Sequence, residues 1–300
     1  MNEQGPKLSI IIASVNGLGC LRECLEAIER QPERAQAEIL VVDRCGGETA
    51  AGVRNHFPNV RLISVAGHMS IPKMRAMGWR ESRGDILVFT EDHCMADQRW
   101  LAEILKAHAD GHAAVGGAVE NGSVESIVDW SVFFCEYSQC MRPIPAGIVA
   151  DIPGNNASYN RRALMKCEDL LQEGVWEHFL HEALKANGIQ LISVPAIVVY
   201  HKKSFGVLEF LQQRYHYGRS FAAMRVAHAS LGRRLFYLLF SPALPALLLP
   251  RIAKRVLVKQ RYLREFYLSL PLLFLYTISW AFGEFCGYLL GPGHSLEKVE

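Results

Sequence analysis

The chain has 300 residues, half of them hydrophobic, with 32 basic and 30 acidic side chains and a formal charge of +2. That length and apolar content exclude a disordered chain and allow one large domain or two moderate ones. The near-neutral balance, without a long basic tract in the first two hundred residues, gives no footing for a nucleic-acid partner.

In chain order, short β-branched runs alternate with amphipathic stretches up to about residue 200, the pattern of a mainly parallel α/β sheet covered by helices. Predicted strands are "LSIIIAS" (8–14), "AEILVVD" (37–43), "VRLISV" (60–65), "DILVFT" (85–90), "AAVGGAV" (113–119) and "IQLISV" (189–194). Between the first two, "CLRECLEAIERQ" sets Leu21, Cys24, Leu25 and Ile28 at helical spacing, giving a strand, helix, strand unit. The turn before it holds Gly17 and Gly19, but Arg22 stands where a dinucleotide fingerprint needs its third glycine. The expected ligand place is therefore the carboxyl end of the first strands, without that fingerprint. Eight cysteines lack any C-x-x-C pair and the opening "MNEQGPKLS" is polar, which predicts free thiols in a reducing, intracellular setting.

Past His201 the character changes. "FGVLEFLQQRYHYGRSFAAMR" reads as an amphipathic helix, followed by two apolar runs at 235–250 and 266–291. The first is short for a span and holds Pro242 and Pro245; the second is long enough for a hydrocarbon core of roughly 30 Å. A basic linker between them carries Arg251, Lys254, Arg255, Lys259, Arg261 and Arg264. Since positive loops favour the cytoplasmic side, at least one run is expected not to cross. We expect 235–250 to be re-entrant or interfacial, the linker to lie on membrane lipids with anionic headgroups, and the catalytic domain to face the cytoplasm. The predicted division is a catalytic domain at 1–205 and membrane-associated helices at 206–300.

The chemistry concentrates in "RGDILVFTEDHC" (83–94), where an apolar strand ends on Glu91, Asp92 and His93. Two carboxylates and an imidazole at a strand end suit Mg²⁺ or Mn²⁺, the imidazole favouring Mn²⁺, and such an ion neutralises a departing diphosphate. The plainer reading makes Asp92 a helix cap ahead of "DQRWLAEILKAHA". Asp43, at the end of the second strand, either accepts hydrogen bonds from a base or ribose or caps the next helix.

Taken together and in order, "LSIIIASVN", "EILVVD", "MRAMGWRESRGDILVFTEDH", "GNNASYNRRAL" and "WEHFLHEALKANGIQLISVPAIVVYH" resemble the family-two glycosyltransferases of the GT-A fold, over roughly residues 8 to 201. The resemblance implies a Rossmann-like mixed sheet, a nucleotide-sugar donor with UDP preferred, a divalent metal and an inverting displacement. It implies donor contacts at Ala13, Ser14, Asn16, Asp43, Arg75, Glu91 and Asp92, with Arg75 on the diphosphate or the nucleotide. Glu91, Asp92 and His93 fall on the family's D-x-D, so the implied metal positions are Glu91, His93 and His201. Glu177 falls on the catalytic base, with Trp176 in place of the acid before it. Gly154, Asn155, Asn156 and Trp176 are the implied acceptor side; His178 and His181 read as packing or solvent-facing positions. "LQQRYHYGR" matches the Q-x-x-R-W of processive synthases only in part, through Gln212, Arg214 and Tyr215, so transfer of a single sugar to a glycan or lipid-linked acceptor is expected. The alternative is a non-catalytic nucleotide-sugar-binding or membrane scaffold protein. A nucleotidyltransferase is disfavoured, because "ASVNGLGC" carries no lysine or arginine to meet a triphosphate.

Overall fold

Seven consecutive buried residues, Leu8–Ser14, form β1, and a strand apolar on both faces has to lie inside a covered sheet. In the computed structural model, which describes residues 5–299, it does. The other strands are β2 (Ala37–Asp43), β3 (Val60–Ser64), β4 (Ile86–Glu91), β5 (Cys94–Ala96), β6 (Ala114–Asn121), β7 (Gly147–Val149), β8 (Ala157–Asn160) and β9 (Leu191–His201). They form one sheet in the order β3-β2-β1-β4-β8-β6-β9-β5, with β7 also on β9. β1 to β4 are parallel, and their register puts Ser14 beside Asp43 and Ala13 beside Glu91. The candidate residues at those strand ends therefore share one edge.

The six longer predicted strands are present. β5, β7 and β8 are additions: with three or four residues each, they owe their strand form to β9, β4 and β6. β8 is formed by the last four residues of "GNNASYN". β9 runs past the predicted end at 194 and through Pro195, which has no N–H for the ladder. The β6–β9 register shifts between Gly116 and Ala118, and a bulge of this kind accommodates the proline.

The chain divides into two compact units, one running to Gly122 and resuming at Cys140–Lys202, the other made of Ser123–Gln139 and the chain from Lys203 onward. A single cut at 205 misses the insertion, because the helix Ile127–Tyr137 belongs with the C-terminal helices. In the first unit, Leu87, Phe89, Tyr159, Leu164, Leu180, Leu184 and Leu191 join one buried cluster. Each such side chain contributes about 1.5–3 kcal/mol on burial.

In the second unit, the helices Val207–Arg225 and Leu263–Leu290 approach at small residues: a Cβ on Gly218 would stand 2.6 Å from the Trp280 carbonyl, and one on Gly283 or Gly287 would strike the Tyr215 or Arg219 carbonyl. The short apolar run gains length. A 3₁₀ turn at Ser241–Ala243 absorbs Pro242 and joins the helices Leu231–Phe240 and Leu244–Lys259 into a 29-residue stretch, so length no longer argues against a span. Leu231–Lys259 and Leu263–Leu290 are both long and apolar enough to cross a membrane, and only 11 % and 39 % of their apolar windows are buried. The basic linker is mostly helix: Arg251, Lys254, Arg255 and Lys259 lie in Leu244–Lys259, and residues 260–262 alone make the turn, with φ 53° at Gln260 and 55° at Tyr262. Lys259 Nζ donates to the carbonyls of Ser138 (2.9 Å) and Gln139 (2.8 Å), at the negative end of the helix Ile127–Tyr137.

Candidate active site

Nonlocal pairing builds the first part of the site. β4 ends at Glu91, Asp92 and His93 turn, and Cys94 opens β5, which runs antiparallel to β9 with Cys94 opposite His201. The Lys202 N–H donates to the His93 carbonyl (2.8 Å) and closes the turn. Residues 108 positions apart are thereby face to face, with His93 Nε2 3.0 Å from His201 Nε2 and the rings edge to face at 90°. Glu91 Oε2 lies 3.4 Å from His93 Nε2.

Asp92 is turned inward. It is fully buried, and its Oδ2 accepts from the Val15 and Asn16 N–H groups, each at 2.7 Å, while Oδ1 accepts from Asn16 Nδ2 at 2.7 Å. Burial alone raises its pKa, but hydrogen bonds from His93 and Asn16 outweigh that and hold it below the usual range. The carboxylate is thus ionised and can only accept. His93 Nδ1, 2.9 Å from Oδ1, then donates to it, and Nε2 is the ring nitrogen that faces His201 and Glu91. Asp92 was expected on the donor; its oxygens are instead spent on the β1 turn and on fixing the His93 tautomer. It does not cap the helix Trp100–Ala109.

One ligand atom each from Glu91, His93 and His201 lies within 4.8 Å of the others. Two imidazole nitrogens 3.0 Å apart match the edge of an octahedron with bonds of about 2.1 Å. A carboxylate with two neutral imidazoles is a donor set suited to Mn²⁺, and a carboxylate holding the far nitrogen of one ring is the usual support for such a ligand. The residues fit a divalent ion.

Arg75 links this cluster to the predicted base. From the helix Ile71–Glu81, its Nη2 donates to Glu91 Oε1 (2.9 Å) and its Nη1 to Glu177 Oε2 (3.2 Å), and its side chain is only 8 % exposed. Glu177 opens the helix Glu177–Ala186 and keeps 23 % of its side chain exposed. Gly154 makes room for it: a Cβ there would stand 2.5 Å from Glu177 Cδ.

Other predicted contacts are placed away from solvent. Asp43 is fully buried and accepts from Ser14 Oγ (2.8 Å), Cys45 N (3.2 Å) and Gly46 N (2.9 Å), bracing the turn into the helix Gly47–His56. Ala13 and Ser14 are buried in the sheet, and the Asn16 amide is held by Asp92. Asn156, expected on the acceptor side, is 1 % exposed, with its amide on the Ala118 (2.8 Å) and Ile197 (3.2 Å) carbonyls and its Oδ1 on Trp100 Nε1 (2.8 Å). Those bonds pin the β6–β9 bulge. Asn155 and Trp176 are also buried, Trp176 as the residue that leads into the Glu177 helix. Of the acceptor-side set, Gly154 lies against the base.

Sequence reasoning missed the clamp that holds this loop. Asp151 binds His178 Nδ1 (2.8 Å) and His181 Nδ1, and His181 Nε2 is 2.5 Å from the Tyr159 hydroxyl. Lys185 Nζ adds a bond to the Ala150 carbonyl (2.9 Å). Burial raises the Asp151 pKa, yet the hydrogen bonds from His178 and His181 bring it far below the ordinary range. Burial, and then the Glu177 charge, keep the Tyr159 phenol protonated, so it donates to His181 Nε2 and the ring's Nδ1–H donates to Asp151. The i, i+3 spacing of His178 and His181 puts both on one helix face, a legible hint, but nothing local points to Asp151.

With the geometry in place, comparison with known proteins adds the following. The family model described as "Glycosyl transferase family 2" matches residues 9–167, just over half of the chain, ending short of Glu177 and His201. "Polypeptide N-acetylgalactosaminyltransferase 12" of Mus musculus is 27 % identical over 135 residues, 43 % of this chain and 23 % of the relative. Its Homo sapiens counterpart is 28 % identical over 136 residues, 43 % of this chain and 22 % of the relative. The chain therefore spans less than a quarter of these relatives. Among solved structures, the mannosyltransferase PcManGT from Pyrobaculum calidifontis, in complex with GDP-Man and Mn²⁺, has TM-score 0.57 and 18 % identity, covering 94 % of this chain and 88 % of that one. S. aureus TarS 1–349 has TM-score 0.51 and 16 % identity, covering 75 % and 66 %. These likenesses speak to the fold, a GT-A-like mixed α/β sheet.

Proposed function

Because the chain belongs to glycosyl transferase family 2, we propose that it moves one sugar from a nucleotide-diphosphate donor to an acceptor hydroxyl by an inverting displacement. The observation that carries this reading is Arg75, which joins the metal-fitting cluster at Glu91 to the carboxylate of Glu177. Glu177 takes the acceptor hydroxyl proton; the freed oxygen bonds the anomeric carbon as the bond from that carbon to the diphosphate oxygen breaks, and the electron pair leaves with the nucleoside diphosphate. Arg75 orients Glu177 and supplies a nearly buried cation for the leaving diphosphate. Glu91, His93 and His201 would hold a divalent ion, Mn²⁺ before Mg²⁺, which would supply positive charge against that leaving group. Asp92 holds His93 in the ligating tautomer.

A UDP-sugar is the first donor to test, on the resemblance of the motifs; a GDP-sugar is second, since the Pyrobaculum neighbour holds one. The lightly buried apolar helices and the basic residues at 251–264 support membrane association at the cytoplasmic face, with Leu231–Lys259 lying in the interface and a glycan or lipid-linked acceptor. Thermal unfolding with UDP- and GDP-sugars, with and without Mn²⁺, tests the reading, because a bound donor stabilises the folded chain. A Mn²⁺-dependent upward shift with one donor class, followed by slow hydrolysis of that donor without acceptor, is the expected result. No shift with any nucleotide sugar contradicts the reading; a shift with no hydrolysis or transfer favours the non-catalytic alternative.

A further inference from the structure

The second unit holds a cavity of about 640 Å³ that the transfer reaction does not use. Its lining is unusual for a cavity among apolar helices: it includes Arg214, Arg225, Arg251 and Arg255, with Glu284 as the lining carboxylate. Arg225 is paired with Glu284 (3.0 Å), and Arg255 donates to the neutral amide of Gln139 (2.6 Å). Arg214 is 9 % exposed and stacks on Trp280, 4.2 Å from the ring centroid. Its Nη1 reaches Glu136 only at 3.3 Å, and its buried Nε has no acceptor among the described residues. A buried donor of this kind on a cavity wall calls for an acceptor from outside the chain. Arg251, on the same lining, is exposed and has no ion-pair partner among the described residues.

The rest of the wall is apolar and uncovered. Phe236, Phe240 and Leu247 line the cavity and remain 54 %, 58 % and 52 % exposed. An occupant must therefore be anionic at one end, with oxygens that match guanidinium groups, and hydrocarbon at the other. A free anion would leave the apolar wall wet, and a neutral lipid would offer no anionic acceptor to Arg214 Nε or Arg251. We propose that this cavity binds a phosphate-bearing lipid of net negative charge, its headgroup among Arg214, Arg251 and Arg255 and its chain along Phe236, Phe240 and Leu247. The assignment rests on the membrane part of the function proposed above and gives it a specific ligand site.

The test uses the full chain in a neutral maltoside detergent, with thermal unfolding read against added dodecyl phosphate, dodecylphosphocholine or inorganic phosphate. Dodecyl phosphate is expected to raise the midpoint, while equal concentrations of the other two leave it in place. Arg251→Gln, at an exposed position, is expected to weaken the response about fivefold or more without changing the unliganded midpoint. Leu247→Trp, which fills the apolar side, is expected to weaken it by another route. A shift of the same size with dodecylphosphocholine, an equal shift with inorganic phosphate alone, or an undiminished response in both variants overturns the proposal. The readout needs neither donor nor acceptor, so a failed lipid response with intact transfer is distinct from failed transfer with an intact lipid response.

Discussion

His93 shows how one side chain depends on a residue that touches nothing outside the protein. Its Nε2 lone pair is available only while Asp92 holds the Nδ1 proton. Asp92→Asn keeps an oxygen for the Val15 and Asn16 N–H groups but turns an N–H toward His93 Nδ1, driving the proton to Nε2. We expect Mn²⁺ affinity to fall about 10- to 100-fold although Asp92 is not a ligand, measured by Mn²⁺ titration in electron paramagnetic resonance; unchanged affinity would show that the tautomer does not matter. Gly154→Ala is the second test at this scale. Its Cβ would stand 2.5 Å from Glu177 Cδ and must displace the base, so kcat should drop about tenfold or more while donor KM holds. Equal losses in both would point to a disturbed donor site. The sequence pattern pointed to Glu91, His93, His201, Arg75 and Glu177, which the fold brings together. It assigned Asp92, Asp43 and Asn156 to ligands because a motif records residue type and position, whereas these three spend their polar atoms on buried backbone and neighbouring side chains.

Among the elements, the helix Trp100–Ala109 is tied to β8 by His108 Nε2 and Ser158 Oγ (2.9 Å). Burial pushes the His108 pKa down to about 4, so the ring stays neutral in the fold while the unfolded chain takes up a proton below about pH 6.5. Stability from this site is complete above pH 6.5 and is lost as pH falls to about 4, with no further loss below. The slope is roughly 1.4 kcal/mol per pH unit at most, since the group is only partly buried. Urea unfolding at pH 7 and pH 5 should show His108→Gln with a smaller pH-dependent loss than the parent; identical losses would remove His108 from the acid limb. The long strands were legible because β-branched runs bounded by turns identify buried strands in a parallel sheet. β5, β7 and β8 were not, because three or four residues hold no period and their strand form comes from distant partners. The meeting of His93 with His201, and of Asp151 with His181, depends on those partners too.

Across the whole molecule, the C-terminal helices were legible as apolar runs, but the helix Ile127–Tyr137 that joins them was not, since its companions lie some seventy or more residues away. Close contact at Gly283 and Gly287 holds Leu263–Leu290 against Val207–Arg225. Gly287→Leu should lower the unfolding midpoint in detergent, by the equivalent of about 1–3 kcal/mol, because the added side chain meets backbone. Gly232→Ala, where a Cβ meets nothing within 4 Å, should leave the midpoint unchanged or slightly raised. A neutral Gly287→Leu would mean that the two helices separate without cost.

The central claim is that Glu177, held by Arg75 and given room by Gly154, is the base for transfer from a nucleotide sugar. Single-turnover transfer by Glu177→Gln with a donor that stabilises the parent chain tests it most directly. The account predicts a rate loss of about 10²-fold or more with donor binding within about threefold of the parent. A transfer rate equal to the parent's at unchanged donor affinity would contradict it.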